Sequence, residues 1–317
     1  MQAGKWDQAA ETLAAHGFNL VFANMIYGCA AAFETDIFLQ SELFTERGDL
    51  LAECIAACYP LEVDVHVSVT LWRTERAPDF FYELMQGEDR LQISSTGEES
   101  RWLCPTDPEN RDLMLSIILE VVSEYDVEGI HLDFIRFPNT RNCFCSGCCE
   151  RFSASSGITL RDWPGQVLEG GRYFDTYREW RIEQITSFVR EVRSGIEEIR
   201  PGVLLSAAVL KDRNDGLRNG QDWVGWVEEG LIDFVVPMNY TDSLDIFCAL
   251  LEDQMESAGG FPVVAGIGVY SADCTLSPEE VAEQAARSSE AGSAGYALFH
   301  LNRSLMQEIL PAAFPLK

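Results

Sequence analysis

Short apolar runs of strand character alternate with helical 3.6-residue periodicity along nearly the whole chain, a pattern of parallel strands joined by crossover helices. Strands are predicted at 19–25, 63–71, 129–135, 203–210, 233–238, 263–269 and 295–301, and an eighth is expected in the weaker segment 91–103. The intervening helices carry clear boundary signals. In "TDPENRDLMLSIILEVVSEYD", Asp107 is placed to cap the helix, Pro108 occupies its first position, and Leu113, Ile117, Val121 and Tyr125 form one stripe. The long pattern in "YFDTYREWRIEQITSFVREVRSGIEEIRPG" stops at Pro201 and Gly202, just before the strand at 203. Eight such units over 317 residues predict an α/β fold, a (β/α)8 TIM barrel forming a single domain over 1–317, with a Cys-rich loop at 139–152. An open doubly wound sheet is the other arrangement with this alternation, but no G-x-G-x-x-G follows the first strand and no P-loop is present.

Composition narrows the partners. With 47% hydrophobic residues the chain can bury a large core, and 51 acidic against 23 basic residues give a formal charge of −28. That field repels phosphate backbones and anionic lipid, so neither nucleic acid nor a membrane is expected as a partner. No apolar run approaches the roughly 20 residues of a membrane span. The first 18 residues read as an amphipathic helix and not as a signal peptide. The scattered cysteines suit a reducing compartment, which favours the cytoplasm; the oligomeric state is left open.

In a barrel the chemistry sits where strands end and the following loops begin. The polar residues predicted there are Asn24; His66 and Trp72; Asp133 and Arg136; Lys211 and Asp212; Asn239, Tyr240 and Asp242; Tyr270; and His300 and Asn302. Carboxylates, amides and aromatics with few phosphate-binding groups suit a neutral, polyhydroxylated ligand such as a sugar. Asp133, inside "GIHLDFIRF", is the sharpest candidate: apolar walls would raise its carboxyl pKa toward the range useful for a general acid. The plainer alternative is an ion pair with Arg136 that closes the strand end. In "VVPMNYTD", Pro237 ends the ladder and Asn239, Tyr240 and Asp242 would project into the mouth, or else satisfy their own turn. His66 and His300 are weaker candidates, since a lone His on an apolar strand is commonly a core residue. His66, Ser68 and Thr70 share a strand face that should point into the barrel. Trp72, Trp102, Trp223 and Trp226 are candidate sugar platforms, although the spacing of the last two resembles a helix core.

"CFCSGC" supplies Cys143, Cys145 and Cys148, three thiols of the four that tetrahedral zinc requires. Cys149 adjoins Cys148, and adjacent residues rarely reach one ion, so Cys104 in "WLCPTDP" is the expected fourth ligand. A closed four-cysteine site would bind Zn2+ structurally. A Cys145–Cys148 disulfide or free thiols are the alternatives.

"WLCPTDPENRDLMLSIILEVVSEYDVEGIHLDFIRFP" resembles the central segment of glycoside-hydrolase-like family 10 proteins. "GFNLVFANMIYG", "VDVHVSVTLW" and "VVPMNY" are similar to that family's other strand motifs. The resemblance implies a (β/α)8 barrel and hydrolysis of glycosidic bonds in an oligo- or polysaccharide, with bacterial cell-wall or amino-sugar polymers among the substrates of the wider group. The four cysteines are similar to the structural zinc cluster of some family 42 β-galactosidases. "GIHLDFIRFP" and "MNYTD" look like distant versions of two family 18 chitinase motifs, in which the substrate's own N-acetyl group is the nucleophile. Phe134 stands where family 10-like members often carry a second acid, and Ile135 and Arg136 occupy the region of the chitinase Glu, so only Asp133 carries over. The second carboxyl group is then expected from Asp242, Asp212 or Glu75, with Tyr240 and Asn239 orienting the sugar. Otherwise the substrate supplies the nucleophile, or the barrel binds carbohydrate without cleaving it. An isomerase or lyase on the same barrel is a third option.

Overall fold

Seven parallel strands form the barrel wall: β1 (Leu20–Tyr27), β2 (Asp64–Thr70), β3 (Gly129–Asp133), β4 (Leu204–Val209), β5 (Phe234–Pro237), β6 (Val264–Gly268) and β7 (Gly295–Phe299). The structure, a computed structural model, describes residues 6–75 and 77–316. The first five positions of the predicted N-terminal helix lie outside the described residues, and the helix itself spans Trp6–Ala15. β1 to β5 are hydrogen-bonded in chain order. Bridges Val235↔Val263 and Met238↔Gly266 carry the wall to β6, which pairs with β7. Phe18, just before β1, meets Tyr296 of β7 edge to face at 6.0 Å, so the last strand returns to the first. The architecture is an α/β barrel of the TIM type.

The expected eighth strand is a correction. Segment 91–103 folds into an antiparallel hairpin, Leu91–Ile93 with Glu99–Leu103, outside the wall, and β2 pairs directly with β3. The cause is local: Ser94 to Gly97 reverses the chain, with the Gly97 N–H donating to Ser94 O at 3.0 Å and Gly97 at φ +85. A segment that reverses after three residues cannot supply a wall strand. The hairpin instead lies across the loops at the C-terminal ends of β2 and β3. Leu103 N–H donates to Trp72 O (2.7 Å), Thr74 N–H to Arg101 O (3.0 Å) and Phe144 N–H to Ile93 O (2.7 Å).

The period-2 alternation of β2 explains its burial on both faces. Val65, Val67, Val69 and Leu71 point outward to the helical layer, while His66, Ser68 and Thr70 point inward. The outer layer includes helices Pro108–Glu124 and Phe174–Ile199. Asp107 caps the first as expected, accepting from Asn110 N–H at 3.1 Å. Its buried face, however, is centred on Met114, Ile117, Ile118, Val121 and Val122, with Leu113 at its margin.

The barrel floor is filled by rings. Phe22 lies 4.1 Å from His131 and 5.9 Å from His66, and His66 lies 5.7 Å from Phe234. His131 Nδ1 is 2.9 Å from Ser206 Oγ, whereas neither ring nitrogen of His66 has a hydrogen-bond partner among the described residues. Burial pushes His66 down to about 4 and His131 to about 3, so both stay neutral in the folded chain at neutral pH. Gly129 makes this floor possible, because a Cβ there would sit 2.4 Å from the His66 ring. Gly129→Ala should therefore cost about 1–3 kcal/mol in urea unfolding. Adding His66→Ala to that variant should cost less than His66→Ala costs alone; additive losses would show that the two positions do not clash.

Candidate active site and thiol cluster

Asp133 ends β3 on its inward face, in register with Thr70 of β2. The wall stops there because Phe134 adopts φ +55, a left-handed conformation that is costly for an aromatic residue and recurs at functional sites. That turn brings the Phe134 N–H back to Asp133 Oδ1 at 2.8 Å and fixes the carboxylate. Burial raises the Asp133 pKa above the ordinary value; the Phe134 N–H and the charges of Arg136 and Arg73 offset part of the rise. Arg136 acts through the field alone, because it makes no ion pair with Asp133 within contact distance among the described residues. The strand-closing ion pair with Arg136, the alternative reading of Asp133, is therefore not formed among the described residues.

An aromatic and cationic collar surrounds this carboxylate. The Phe134 ring lies near two guanidinium groups, Arg73 at 5.0 Å and Arg136 at 5.3 Å, and packs edge to face on Trp102 at 5.4 Å. Arg136 also sits 5.9 Å from the Trp102 ring. Glu75 is tied into the same group: it pairs with Arg73 and accepts from the Trp102 indole N–H at 3.3 Å. Asn24 lies at a bulge in β1 and donates to Thr70 Oγ1 at 3.1 Å, beside Asp133.

Tyr240 also lies close enough to Asp133 to feel its charge. Its ring stacks on Phe299 at 5.3 Å, and it fits because β6 carries Gly268, where a Cβ would lie 2.7 Å from the ring. Burial, then the nearby Asp133 charge, raises the phenol pKa, so the hydroxyl keeps its proton and can donate. His300 is exposed on the rim, 5.0 Å from Phe299 and 3.2 Å from Tyr270 O, with Tyr270 half-buried behind it.

Other expected site residues lie elsewhere. His66 is fully buried in the floor, near the start of β2 and away from the mouth. Trp72 is fully buried against Phe188, 4.8 Å away on helix Phe174–Ile199. Asn239 is fully buried in a reciprocal amide pair with Gln254, at 2.9 and 2.7 Å. None of the three can touch a ligand in the mouth. Asp212 caps helix Arg213–Arg218 by accepting from Asp215 N–H at 2.9 Å, and with Asn139, Thr140 and Lys211 it lines an open groove of about 430 Å³. Asp242 is exposed on the loop before helix Leu244–Ala258. Trp223 and Trp226 are core residues, as their spacing suggested. Reading the sequence missed Arg73 and His131; the inward phase of β3 is the signal that would have found His131.

The four expected cysteines do converge. Cys104, Cys143, Cys145 and Cys148 are buried, with their sulfur atoms all within 4.8 Å of one another and no disulfide among them. Cys104 Sγ is 3.5 Å from Cys148 Sγ and 3.8 Å from Cys145 Sγ. A tetrahedral ion with metal–sulfur bonds of about 2.3 Å holds its sulfurs about 3.8 Å apart, so the set has the dimensions of a four-thiolate metal site. Cys149 is half-buried and outside the set. Arg151 donates to Thr106 Oγ1 at 2.9 Å and approaches Cys104 Sγ at 3.9 Å, where its charge would offset thiolates. The cluster joins the end of the hairpin that carries Trp102 to the loop that follows Asp133 and Arg136.

Residues 61–271 match the family described as Glycosyl hydrolase-like 10. Among curated proteins, the glycosyl hydrolase DigH of Escherichia coli K12 is 30% identical over 155 residues, 44% of this chain and 31% of DigH. The glycosyl hydrolase YngK of Bacillus subtilis is 25% identical over 155 residues, 43% of this chain and 27% of YngK. The aligned stretch thus spans under a third of either relative. Among solved structures, the glycoside hydrolase domain of PgaB from Bordetella bronchiseptica superposes with TM-score 0.75 at 12% identity, over 98% of this chain and 93% of that one. The GH42 β-galactosidase Gan42B of G. stearothermophilus gives TM-score 0.63 at 13% identity, over 93% and 48%. No helix among the described residues is long and apolar enough to cross a membrane. The fold is that of glycoside-hydrolase barrels, and the match over 61–271 places the chain in the glycosyl hydrolase-like 10 family.

Proposed function

We propose that the chain is a glycoside hydrolase acting on an oligo- or polysaccharide, with Asp133 as the acid that protonates the leaving oxygen or polarises the substrate. The observation that carries this reading is the half-buried Asp133 carboxyl, its pKa raised by burial, inside a collar of Trp102, Phe134 and Tyr240. Aromatic faces take the apolar faces of sugar rings, and the Tyr240 hydroxyl is a donor for a ring substituent or a developing charge. For the second carboxyl group we favour Glu75 over Asp212 and Asp242. It shares Arg73 with Asp133 and is held by the Trp102 indole, whereas Asp212 is committed to a helix cap. Asn24 and His300 are further polar side chains at the mouth that would contact sugar hydroxyls.

A non-catalytic carbohydrate-binding barrel is the second reading. Its support is that the charges acting on Asp133 come from Arg136 and Arg73, with no carboxylate among them. Release of reducing ends from an oligosaccharide panel separates the two: on a substrate the wild type cleaves, Asp133→Asn should lower kcat by about 10²–10⁴. Full activity in that variant would remove Asp133 from the chemistry.

The same substitution tests the electrostatics. A carboxyl whose folded-state pKa is raised contributes stability that is present below its unfolded value, about 3.9, and lost as pH rises through the folded value. Asp133→Asn keeps the neutral form at every pH. Its Tm should therefore exceed the wild type's at pH 7, and the gain should vanish below about pH 3.9. A lower Tm at pH 7 would mean that the ionised carboxylate is stabilising.

We assign the thiol cluster a structural zinc ion, closed by four sulfurs and without an open position for chemistry. Elemental analysis of protein purified without chelator should give one zinc per chain. Stripping it should lower Tm and expose four additional reactive thiols; a metal-free protein with a Cys145–Cys148 disulfide would overturn the assignment.

A further inference from the structure

The four sulfurs of the thiol cluster are not equally shielded. Thr106 Oγ1 lies 3.2 Å from Cys104 Sγ and 3.3 Å from Cys148 Sγ, and the Arg151 guanidinium that donates to it approaches Cys104 Sγ at 3.9 Å. Cys143 is held from behind by Tyr177, whose hydroxyl donates to Cys143 O at 2.6 Å. Cys104, Cys143 and Cys148 are fully buried, whereas Cys145 keeps 4% of its surface exposed. Cys145 is also the member of the four that lines a small cavity of about 40 Å³, with Asp89, Leu91, Ile93, Glu99 and Ser146 around it. The cavity lies between the hairpin 91–103 and the start of helix Ser146–Ser156. There Cys145 is the N-cap, and its sulfur accepts from Cys148 N–H at 3.4 Å.

Size and charge select what this cavity admits. Its volume takes about two water molecules or one of hydrogen peroxide. A branched hydroperoxide or a peptide disulfide is too large for it. Asp89 and Glu99 in the lining, within a chain of net charge −28, oppose anionic oxidants. A zinc-bound cysteine is a thiolate, the form that attacks a peroxide.

We propose that Cys145 is an oxidative modification site, the position at which hydrogen peroxide enters the cluster, oxidises it and releases its metal. The release rests on the zinc assignment above; the place of attack rests on the cavity. The Cys145 thiolate attacks one peroxide oxygen, the S–O bond forms as the O–O bond breaks, and hydroxide leaves, so that Cys145 becomes a sulfenic acid. A second thiolate, with Cys104 Sγ placed 3.8 Å away, then attacks that sulfur; the S–S bond forms, the S–O bond breaks and a second hydroxide leaves. The two thiolates lose two electrons, the peroxide gains them, and both hydroxides take protons from solvent to become water. Zinc left with half of its sulfurs has lost its closed tetrahedral site. The new bond draws two sulfurs together and frees Cys143 and Cys148, so the end of the hairpin that carries Trp102 shifts against the loop that follows Asp133. A dithiol reductant returns both thiolates and, with zinc, the original joint.

The test exposes the intact chain, its zinc content measured first, to hydrogen peroxide or to tert-butyl hydroperoxide, each calibrated by its rate with free cysteine. Dimedone traps sulfenic acid for peptide mass spectrometry, and a chromogenic chelator follows released zinc. Hydrogen peroxide should label Cys145 ahead of the half-buried Cys149 and then give a disulfide that includes Cys145, with zinc leaving in step. Relative to free cysteine, the bulky peroxide should oxidise Cys145 at least about tenfold more slowly. Ser146→Trp, at an exposed position of the lining, should slow attack by hydrogen peroxide at least about fivefold without changing zinc content or the oxidation of Cys149. Amide hydrogen exchange across 91–103 should rise on oxidation and fall again with dithiothreitol and zinc. First labelling at any other cysteine, or equal calibrated rates for the two peroxides, overturns the inference. Unchanged exchange after full zinc release overturns the coupling to the hairpin. Preferential oxidation of Cys145 in a chain that holds no zinc overturns the zinc assignment alone.

Discussion

The direct pairing of β2 with β3, running from His66↔Gly129 to Thr70↔Asp133, is the constraint on which the rest of this molecule depends. Parallel pairing with strict alternation leaves no freedom in which side chains point inward: once Gly129 is set against His66, Asp133 must arrive at the mouth beside Thr70. The same pairing leaves hairpin 91–103 without a place in the wall. It is displaced onto the mouth, where it delivers Trp102 to the collar around Asp133 and Cys104 to the thiol cluster. A wall strand in that position would have supplied neither.

The site is then a balance of opposing electrostatic effects. Burial works against ionisation of Asp133, while Arg136, Arg73 and the Phe134 N–H favour it. The left-handed turn at Phe134 serves both sides. It places the N–H on the carboxylate and brings the ring within cation–π distance of both guanidinium groups. An acidic residue at this position would compete with Asp133 for the two cations, whereas the Phe134 ring attracts them without neutralising their charge. The thiol cluster lies behind this arrangement, and its closure would hold the Trp102 and Arg136 segments in one geometry.

The alternation of strand and helix patterns, the capping role of Asp107, the inward phase of β2, the position of Asp133 at a strand end and the convergence of four cysteines were all legible in the chain. Each rests on local chemistry or on the fixed period of a strand or helix. His66, Trp72 and Asn239 misled because a polar or aromatic residue near a strand end looks the same in sequence whether it faces the mouth, the floor or the helical layer. Gln254, fifteen positions beyond Asn239, is what withdraws that amide from the site. Arg73 and Glu75 become part of the site only through Phe134 and Trp102, residues distant in the chain.

By itself the sequence determined which segments are strands and which are helices, which side chains share a face, and which residue types are available for carbohydrate and metal chemistry, because these follow from short-range sterics and periodicity. Only the tertiary structure decided that 91–103 leaves the wall, that two arginines gather at the Phe134 ring, and that Arg136 makes no ion pair among the described residues. Those outcomes depend on long-range pairing and on competition for burial, where each segment's place is settled by what its neighbours have already filled.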